Sequence, residues 1–215
     1  MNTLYLLGGP PRTAKTTIMA QVAAELKIPF IAADAVEHGL RNVFTSEPHQ
    51  MLRDIEFSGS AEHKASITEG GERKPFSNKG TESELTLQAI IGMLDYYRRN
   101  CESVAFEGAA FTPRLVKNLS ITGFVIKAAF VGFTKPSHAD QVLEYAKSNP
   151  DDWINAWLAD NNGDEAKIRD WIAKQSQKCI GLKSEAEDLG YPYFDISTTP
   201  FEQYVASAQN YFLGL

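Results

Sequence analysis

A short apolar segment, a glycine-containing turn and a helix-like repeat follow one another at the amino terminus of this chain. Residues Thr3 to Leu7 are too few for a helix and run directly into glycine and proline, which predicts a buried strand. After the turn, Ile18, Val22 and Leu26 recur at helical spacing. A strand, a tight loop and a helix in succession are typical of an α/β protein with a mostly parallel sheet.

The loop between this strand and helix reads GPPRTAKTT from Gly9 to Thr17. It agrees with the phosphate-binding pattern G-x-x-x-x-G-K-[ST] at Gly9, Lys15 and Thr16. In such a loop, backbone N–H groups and the positive end of the helix hold phosphate oxygens, the lysine neutralises charge, and the hydroxyl binds Mg²⁺. The bland alternative is a proline-rich turn with an exposed lysine. We predict a nucleotide site made of Gly9, Pro10, Pro11, Arg12, Thr13, Ala14, Lys15, Thr16 and Thr17, with Thr16 as the metal ligand.

Ala14 stands where the pattern has its second glycine. A left-handed backbone at this alanine would cost about 1 to 2 kcal/mol, and its methyl group would crowd the phosphate path. A helical backbone would remove most of that cost. Because Ala14 directly precedes a helix with good periodicity, we expect the helical backbone and a working site of reduced affinity.

Composition limits the classes of partner that the chain can bind. The 215 residues are 43% hydrophobic, enough for one substantial core, and we expect a single domain over 1–215. A net charge of −6 gives no broad basic field for nucleic acid and would repel an anionic membrane. Cys101 and Cys179 have no metal-type spacing, and no signal-peptide pattern is present, so we expect a cytoplasmic protein that binds small molecules.

Further strands and helices alternate along the chain. The later strands are predicted at Pro29 to Ala33, Ser103 to Glu107, Val125 to Phe133 and Tyr193 to Ile196. Helices are predicted from Thr81, from about Ser137 to Ser148, around Trp153 to Leu158, from about Asp164 to Leu189, and after Thr199. The polar segment 45–80 has no sustained period and is predicted to be a long loop or a mobile insertion.

Acidic residues stand at the ends of two predicted strands. Asp34 follows the second strand and Glu107 ends the third, while Gly9 follows the first and Lys135 follows the fourth. Ligands of parallel α/β sheets gather at the carboxyl ends of the strands, so these residues are expected to converge on one site. The alternative for either acid is a cap on the helix that follows.

Several of these residues together resemble a known family. The loop from Gly9 to Thr16, Asp34 directly after a strand, Arg41 seven residues later and the strand end Phe106-Glu-Gly-Ala109 resemble the P-loop small-molecule kinases. That group includes nucleoside-monophosphate, shikimate, gluconate and chloramphenicol kinases and the zeta-toxin sugar-nucleotide kinases. The phrase from Ala105 to Pro113 is also similar to that of 2-phosphoglycerate-kinase-like proteins.

The resemblance implies a three-layer α/β/α sandwich around a five-stranded parallel sheet in the order 2-3-1-4-5. It implies ATP and Mg²⁺ on the loop, a small phosphoryl acceptor beside strand two and segment 45–80, and a helical lid at about 149–175. By position, Asp34 would accept the proton of the acceptor hydroxyl or orient it. Glu107 would hold Mg²⁺ through water or act as the base in place of Asp34.

Three arginines are candidates for binding the acceptor or for a role in the lid. Arg41 and Arg114 are candidates for gripping an anionic acceptor, since a guanidinium matches phosphate or carboxylate, although each could also be a solvated surface residue. Arg169 is the one arginine between Asp140 and Leu189, and it is the candidate for stabilising the transition state. The sparse lid arginines and Ala14 leave open a non-catalytic ATP-binding regulatory module. His38 and His138 are expected in solvent. The tryptophans Trp153, Trp157 and Trp171 are expected to pack the lid, and stacking on a ligand is the alternative.

Overall fold

The computed structural model describes residues 2–45, 64–69, 72–100 and 102–215. Strands and helices alternate through most of the chain, as the sequence predicts. Their order is β1 (Asn2–Gly8), α1 (Lys15–Leu26), β2 (Phe30–Ala32), α2 (Ala33–Thr45), β3 (Lys64–Glu69), β4 (Glu72–Ser77), α3 (Asn78–Arg99), β5 (Val104–Gly108), α4 (Pro113–Asn118), β6 (Phe124–Gly132), α5 (His138–Ser148), α6 (Trp153–Asp160), α7 (Glu165–Asp188), β7 (Tyr193–Asp195) and α8 (Phe201–Leu213).

Five strands form one parallel sheet in the order β2-β5-β1-β6-β7. Numbered among themselves in chain order, these strands lie 2-3-1-4-5, which confirms the expected topology. β1 is the central strand, and Leu4 lies beside Val104 of β5 and Ile126 of β6. The loop that follows β1 therefore emerges from the middle of the sheet, between the ends of its two neighbours.

The two faces of the sheet are covered by different helices. Leu7 of β1 belongs to a buried cluster that includes Ile18 of α1, whereas Leu4 and Leu6 belong to a second cluster that includes Ile90 of α3. Successive side chains of a strand point to opposite faces, and this sheet is covered on both, so its central strands carry runs of consecutive apolar residues. The three-layer sandwich is confirmed.

The structure differs from the sequence prediction around β2. The strand ends at Ala32, and α2 begins at Ala33, so that Asp34 lies in the first turn of a helix that the sequence reading did not include. The helix α4 was likewise not predicted. α2 follows directly on β2, so the strand pattern conceals where this helix begins, and α4 has only six residues, too few to show a helical repeat.

Segment 45–80 contains regular structure that the prediction of a long loop missed. β3 and β4 form an antiparallel hairpin, and α3 begins at Asn78 rather than at Thr81. β3 reads KASITE, which alternates over six residues only, and β4 reads ERKPFS, which has no alternation and contains a proline, so the sequence signal of this hairpin is weak. Residues 46–63 lie outside the described part of the chain.

Among the helices that the structure describes, none combines the length and the apolar character that crossing a membrane requires.

A close contact between Gly108 and α2 yields a testable prediction. A Cβ atom on Gly108 would lie 2.5 Å from the Cβ of Ala33, so Gly108→Ala must shift α2 away from β5. We expect a loss of about 1 to 3 kcal/mol in the free energy of unfolding, measured by urea denaturation. Gly181→Ala is the matched control, because a Cβ on this α7 glycine meets nothing and should stabilise the helix by about 0.5 to 1 kcal/mol. Equal effects of the two substitutions would contradict the contact.

Candidate phosphate-binding site

The loop between β1 and α1 begins with a glycine that no other residue could replace. Gly9 has φ 150°, and a Cβ atom there would lie 2.2 Å from the carbonyl oxygen of Val131 in β6. The loop therefore passes directly over the neighbouring strand. This close approach is the physical reason for the first glycine of the pattern.

Side chains from other elements hold the carbonyl groups of the loop. Tyr204 of α8 donates its hydroxyl to the carbonyl oxygen of Thr13 at 2.6 Å in the buried interior. His138 Nε2 lies 2.9 Å from the carbonyl oxygen of Arg12, and Thr13 Oγ1 donates to that of Pro10 at 2.8 Å. The loop conformation is thus held by side chains from two other helices, α5 and α8, and by the hydroxyl of its own Thr13.

His138 lies beside the loop, and the prediction that its side chain is exposed to solvent was wrong. It was expected in solvent, but its side chain is only 4% exposed and lies over the ring of Phe133. Its Nδ1 lies 2.9 Å from Gln141 Oε1, so both ring nitrogens have partners. Its position as the first residue of α5, next to the end of β6, depends on the packed sheet, and local sequence carries no signal of that packing.

The backbone at Ala14 is also different from the expectation. Ala14 has φ 53° and ψ 23°, the left-handed conformation, rather than the helical one. It is the N-cap of α1 and accepts the first helical hydrogen bond from Ile18 N at 3.0 Å, while its own torsions lie outside the helix. The missing glycine therefore leaves strain in the loop, and Arg12 is left-handed as well, at φ 67°.

Lys15 and Glu107 form a buried polar pair at the start of α1, next to the exposed Thr16. Thr16 Oγ1 donates to Glu107 Oε1 at 2.9 Å, and Lys15 Nζ lies 3.9 Å from Glu107 Oε2. Lys15 Nζ also donates to the carbonyl oxygen of Pro10 at 2.8 Å. The side chains of Lys15 and Glu107 are 7% and 3% exposed, so both charges are largely removed from water.

Burial and charge act in opposite directions on this pair. Burial lowers the pKa of Lys15, while the nearby carboxylates of Glu107 and Asp34 partly offset that effect. Burial raises the pKa of Glu107, against the opposing influence of Lys15 and the Thr16 hydroxyl. A buried cation poised for an anion lies beside a hydroxyl and a carboxylate, which are oxygen donors of the type that Mg²⁺ uses together with water and substrate phosphates.

A cavity of about 500 Å³ opens above these residues at the carboxyl ends of the strands. It brings together Lys15, Thr16, Asp34 and Glu107 with residues 11–14 and 17 of the loop. Asp34 is exposed in the first turn of α2, whereas Glu107 is buried. The rest of the lining comes from α5, the start of α6 and the residues after β7, namely His138, Gln141, Val142, Tyr145, Trp153, Ile196 and Phe201.

The structure does not bring Arg114, Arg169 or the strand-end residue Lys135 to the cavity. Arg114 is 80% exposed and pairs with Glu185 of α7 at 3.1 Å. Arg169 pairs with Asp140 at 2.5 Å, and its side chain is about half exposed. Neither residue lines the cavity. Arg41 lies in α2, but its side chain is outside the described ones.

Arg12 of the loop lines the cavity, and its partner is Asp152, the residue before α6. Arg12 Nη1 donates to Asp152 Oδ2 at 2.6 Å, and Nη2 donates to the other carboxylate oxygen. Its guanidinium lies 4.8 Å from the ring centre of Trp153. Trp153 in turn packs with Trp157 and Trp171 at centroid distances of 5.8 to 6.1 Å, as the lid-packing expectation has it. Sequence alone gave no pairing for Arg12.

The strained alanine yields a second prediction. Replacement of Ala14 by glycine removes the left-handed penalty of about 1 to 2 kcal/mol, and the larger entropy of glycine in the unfolded chain returns about half of it. We therefore expect Ala14→Gly to raise the free energy of unfolding by up to about 1 kcal/mol, measured by denaturation without ligand. An unchanged or lowered stability would show that the backbone at this position is not strained.

No protein-family model matches the chain, and no curated protein matches its sequence. Solved structures do match over nearly its whole length. A shikimate kinase from Bacteroides thetaiotaomicron is 15% identical, with 99% of both chains covered and a TM-score of 0.50. A gluconokinase from Sinorhizobium meliloti 1021 is 13% identical, with 99% of this chain and 92% of that chain covered and a TM-score of 0.49. The strand order and the likeness to the shikimate kinase together establish that this chain has the fold of the P-loop small-molecule kinases.

Proposed function

We propose that the protein is an ATP-dependent phosphotransferase that acts on a small hydroxylated or phosphorylated metabolite. The observation that carries this proposal is the buried pair of Lys15 and Glu107, with Thr16 hydrogen-bonded to Glu107, below a cavity that Asp34 also lines. Phosphoryl transfer asks a protein mainly for positioning and for neutralisation of charge, and these side chains are of the types that do so. The cysteine content of the sequence favours a cytoplasmic setting for this reaction.

The loop and these three side chains are proposed to hold the phosphates of ATP. Loop N–H groups and the amino terminus of α1 would bind phosphate oxygens, and Lys15 would exchange its bond with the Pro10 carbonyl for a phosphate oxygen. Thr16 and Glu107 would hold Mg²⁺, the hydroxyl directly and the carboxylate through water. When bound, the ion supplies neutralisation of phosphate charge.

Glu107 is buried and Asp34 is exposed, and this difference favours different roles for the two carboxylates. Glu107 is already engaged by the Thr16 hydroxyl and lies close to Lys15, so it is suited to the metal side of the site. Asp34 lines the same cavity but is exposed, so it can meet an acceptor hydroxyl. We propose that Asp34 orients that hydroxyl or accepts its proton. Arg41 lies in the same helix, seven residues after Asp34, and stays a candidate for binding an anionic acceptor.

A second candidate function is an ATP-binding regulatory module without turnover. Arg169 and Arg114 pair with acidic partners away from the cavity, and the loop arginine is held by the lid, which favours this reading. The discriminating experiment measures ADP release from ATP with a panel of sugar acids, nucleosides, phosphoglycerates and aminoglycosides. Acceptor-dependent release supports the kinase, whereas tight ATP binding without it supports the module.

Lys15 provides the test of nucleotide binding. Because its ammonium group serves phosphates rather than the core, we expect Lys15→Met to abolish productive use of Mg²⁺·ATP while the protein remains folded. Calorimetry of Mg²⁺·ATP binding and circular dichroism are compared for the wild type and the variant. Lys174→Met is the matched control, since this exposed lysine pairs only with Asp170 in α7. Equal affinity and turnover in the wild type and Lys15→Met would exclude the phosphate-loop function.

Asp34 and Glu107 are separated by a pair of isosteric substitutions. We expect Asp34→Asn to keep Mg²⁺·ATP binding but to lower transfer by roughly 10² to 10⁴, the range for loss of a general base. Glu107→Gln should instead weaken the dependence of ATP affinity on Mg²⁺, because the carboxylate beside Thr16 is lost. Titrations of ATP at several Mg²⁺ concentrations measure this difference. The reverse pattern would assign the base to Glu107.

A further inference from the structure

The contact between Arg12 and Asp152 joins the phosphate loop to the lid across a long stretch of sequence. Both guanidinium nitrogens Nη1 and Nη2 donate to the carboxylate, and the side chains of Arg12 and Asp152 are only 15% and 7% exposed. The flat face of the same guanidinium lies against Trp153. An arginine held by a two-pronged carboxylate pair and by an aromatic ring is well ordered, and it is largely removed from water.

Asp152 has a second role in the lid itself. Its Oδ1 accepts a hydrogen bond from Ile154 N at 2.9 Å, which caps the amino terminus of α6. Although burial raises the pKa of Asp152, the hydrogen bonds from Arg12 and from the Ile154 backbone and the charge of Arg12 together lower it below its usual value. The carboxylate is therefore ionised when it holds Arg12. Any movement of Arg12 away from Asp152 would leave a buried negative charge at the start of α6.

Arg12 is nevertheless placed where phosphate is expected. It belongs to the loop and lines the cavity together with Lys15 and Trp153. Its backbone is left-handed. Its Nε is buried and has no hydrogen-bond partner, so the carboxylate leaves one donor of the fork unused. Carboxylate and phosphate are alternative partners for the same guanidinium geometry.

We propose that Arg12 binds a phosphate of the nucleotide through its side chain, and that Asp152 occupies the guanidinium in the nucleotide-free protein. The lid carboxylate and the phosphate then compete for one arginine, so nucleotide binding releases Asp152 and loosens the lid from the loop. This inference rests on the proposed function, because it needs a nucleotide in the cavity. The competition lowers the apparent affinity by the fraction of molecules in which Arg12 is held by the lid.

The test replaces the carboxylate by its neutral isostere. Asp152→Asn keeps the shape and the cap of α6, since asparagine is also a good N-cap, and removes the charge that competes with phosphate. We expect it to bind a non-hydrolysable ATP analogue with Mg²⁺ roughly tenfold more tightly than the wild type in calorimetry. The matched control is Asp164→Asn, which changes the exposed N-cap aspartate of α7, bonded to Ala166 N at 3.0 Å, and should leave the affinity unchanged.

A second variant separates competition from a general effect of charge. Arg12→Gln should weaken binding of the analogue about tenfold, and adding Asp152→Asn to it should give no further gain, because the contested arginine is absent. A gain of the same size in both backgrounds would overturn the inference, as would equal or weaker binding by Asp152→Asn alone. If the wild type and all variants fail to bind the analogue, both the proposed function and this inference fail. If all bind it with equal affinity, only the inference fails.

Discussion

The burial of Lys15 beside Glu107 is the interaction on which the site depends. Two charges that are almost fully removed from water lie 3.9 Å apart, and a hydroxyl and a backbone carbonyl complete their hydrogen bonds. Such a pair is costly to bury, and it is tolerated only where the surrounding structure satisfies both partners. Two adjacent parallel strands meet this requirement. β1 leads into the loop that precedes Lys15, and Glu107 lies near the end of the neighbouring strand β5.

The same geometry explains why the loop carries strain. Gly9 passes over the carbonyl of Val131, and Tyr204 and His138 hold the loop carbonyls from two other helices. With both sides constrained, the chain must enter α1 through a left-handed residue, and Ala14 adopts that conformation despite its methyl group. Strained backbone of this kind persists when many neighbours determine it together, and it is concentrated at functional sites.

Sequence reasoning located the site because its residues stand at strand ends. The strands were predicted from apolar runs that end at a glycine or an acidic residue. Because the carboxyl ends of parallel strands lie at one edge of the sheet, Gly9, Asp34 and Glu107 were expected to meet there. The structure brings Lys15, Asp34 and Glu107 around one cavity. Arg114 and Arg169 do not join them, because each pairs with an acidic residue on the surface. The sequence could not reveal this, since a lone arginine on a polar helix face carries no signal of its partner.

What the sequence by itself determined was the local order of elements and the chemistry of the loop, because apolar period and a short motif both act within a few residues. The strand order was anticipated through resemblance to a family. Only the tertiary structure decided the left-handed Ala14, the burial of His138 and the pairing of Arg12 with Asp152. Each of these depends on contacts between elements distant in sequence, and the free energies of such contacts arise only when the sheet and its helices are packed together.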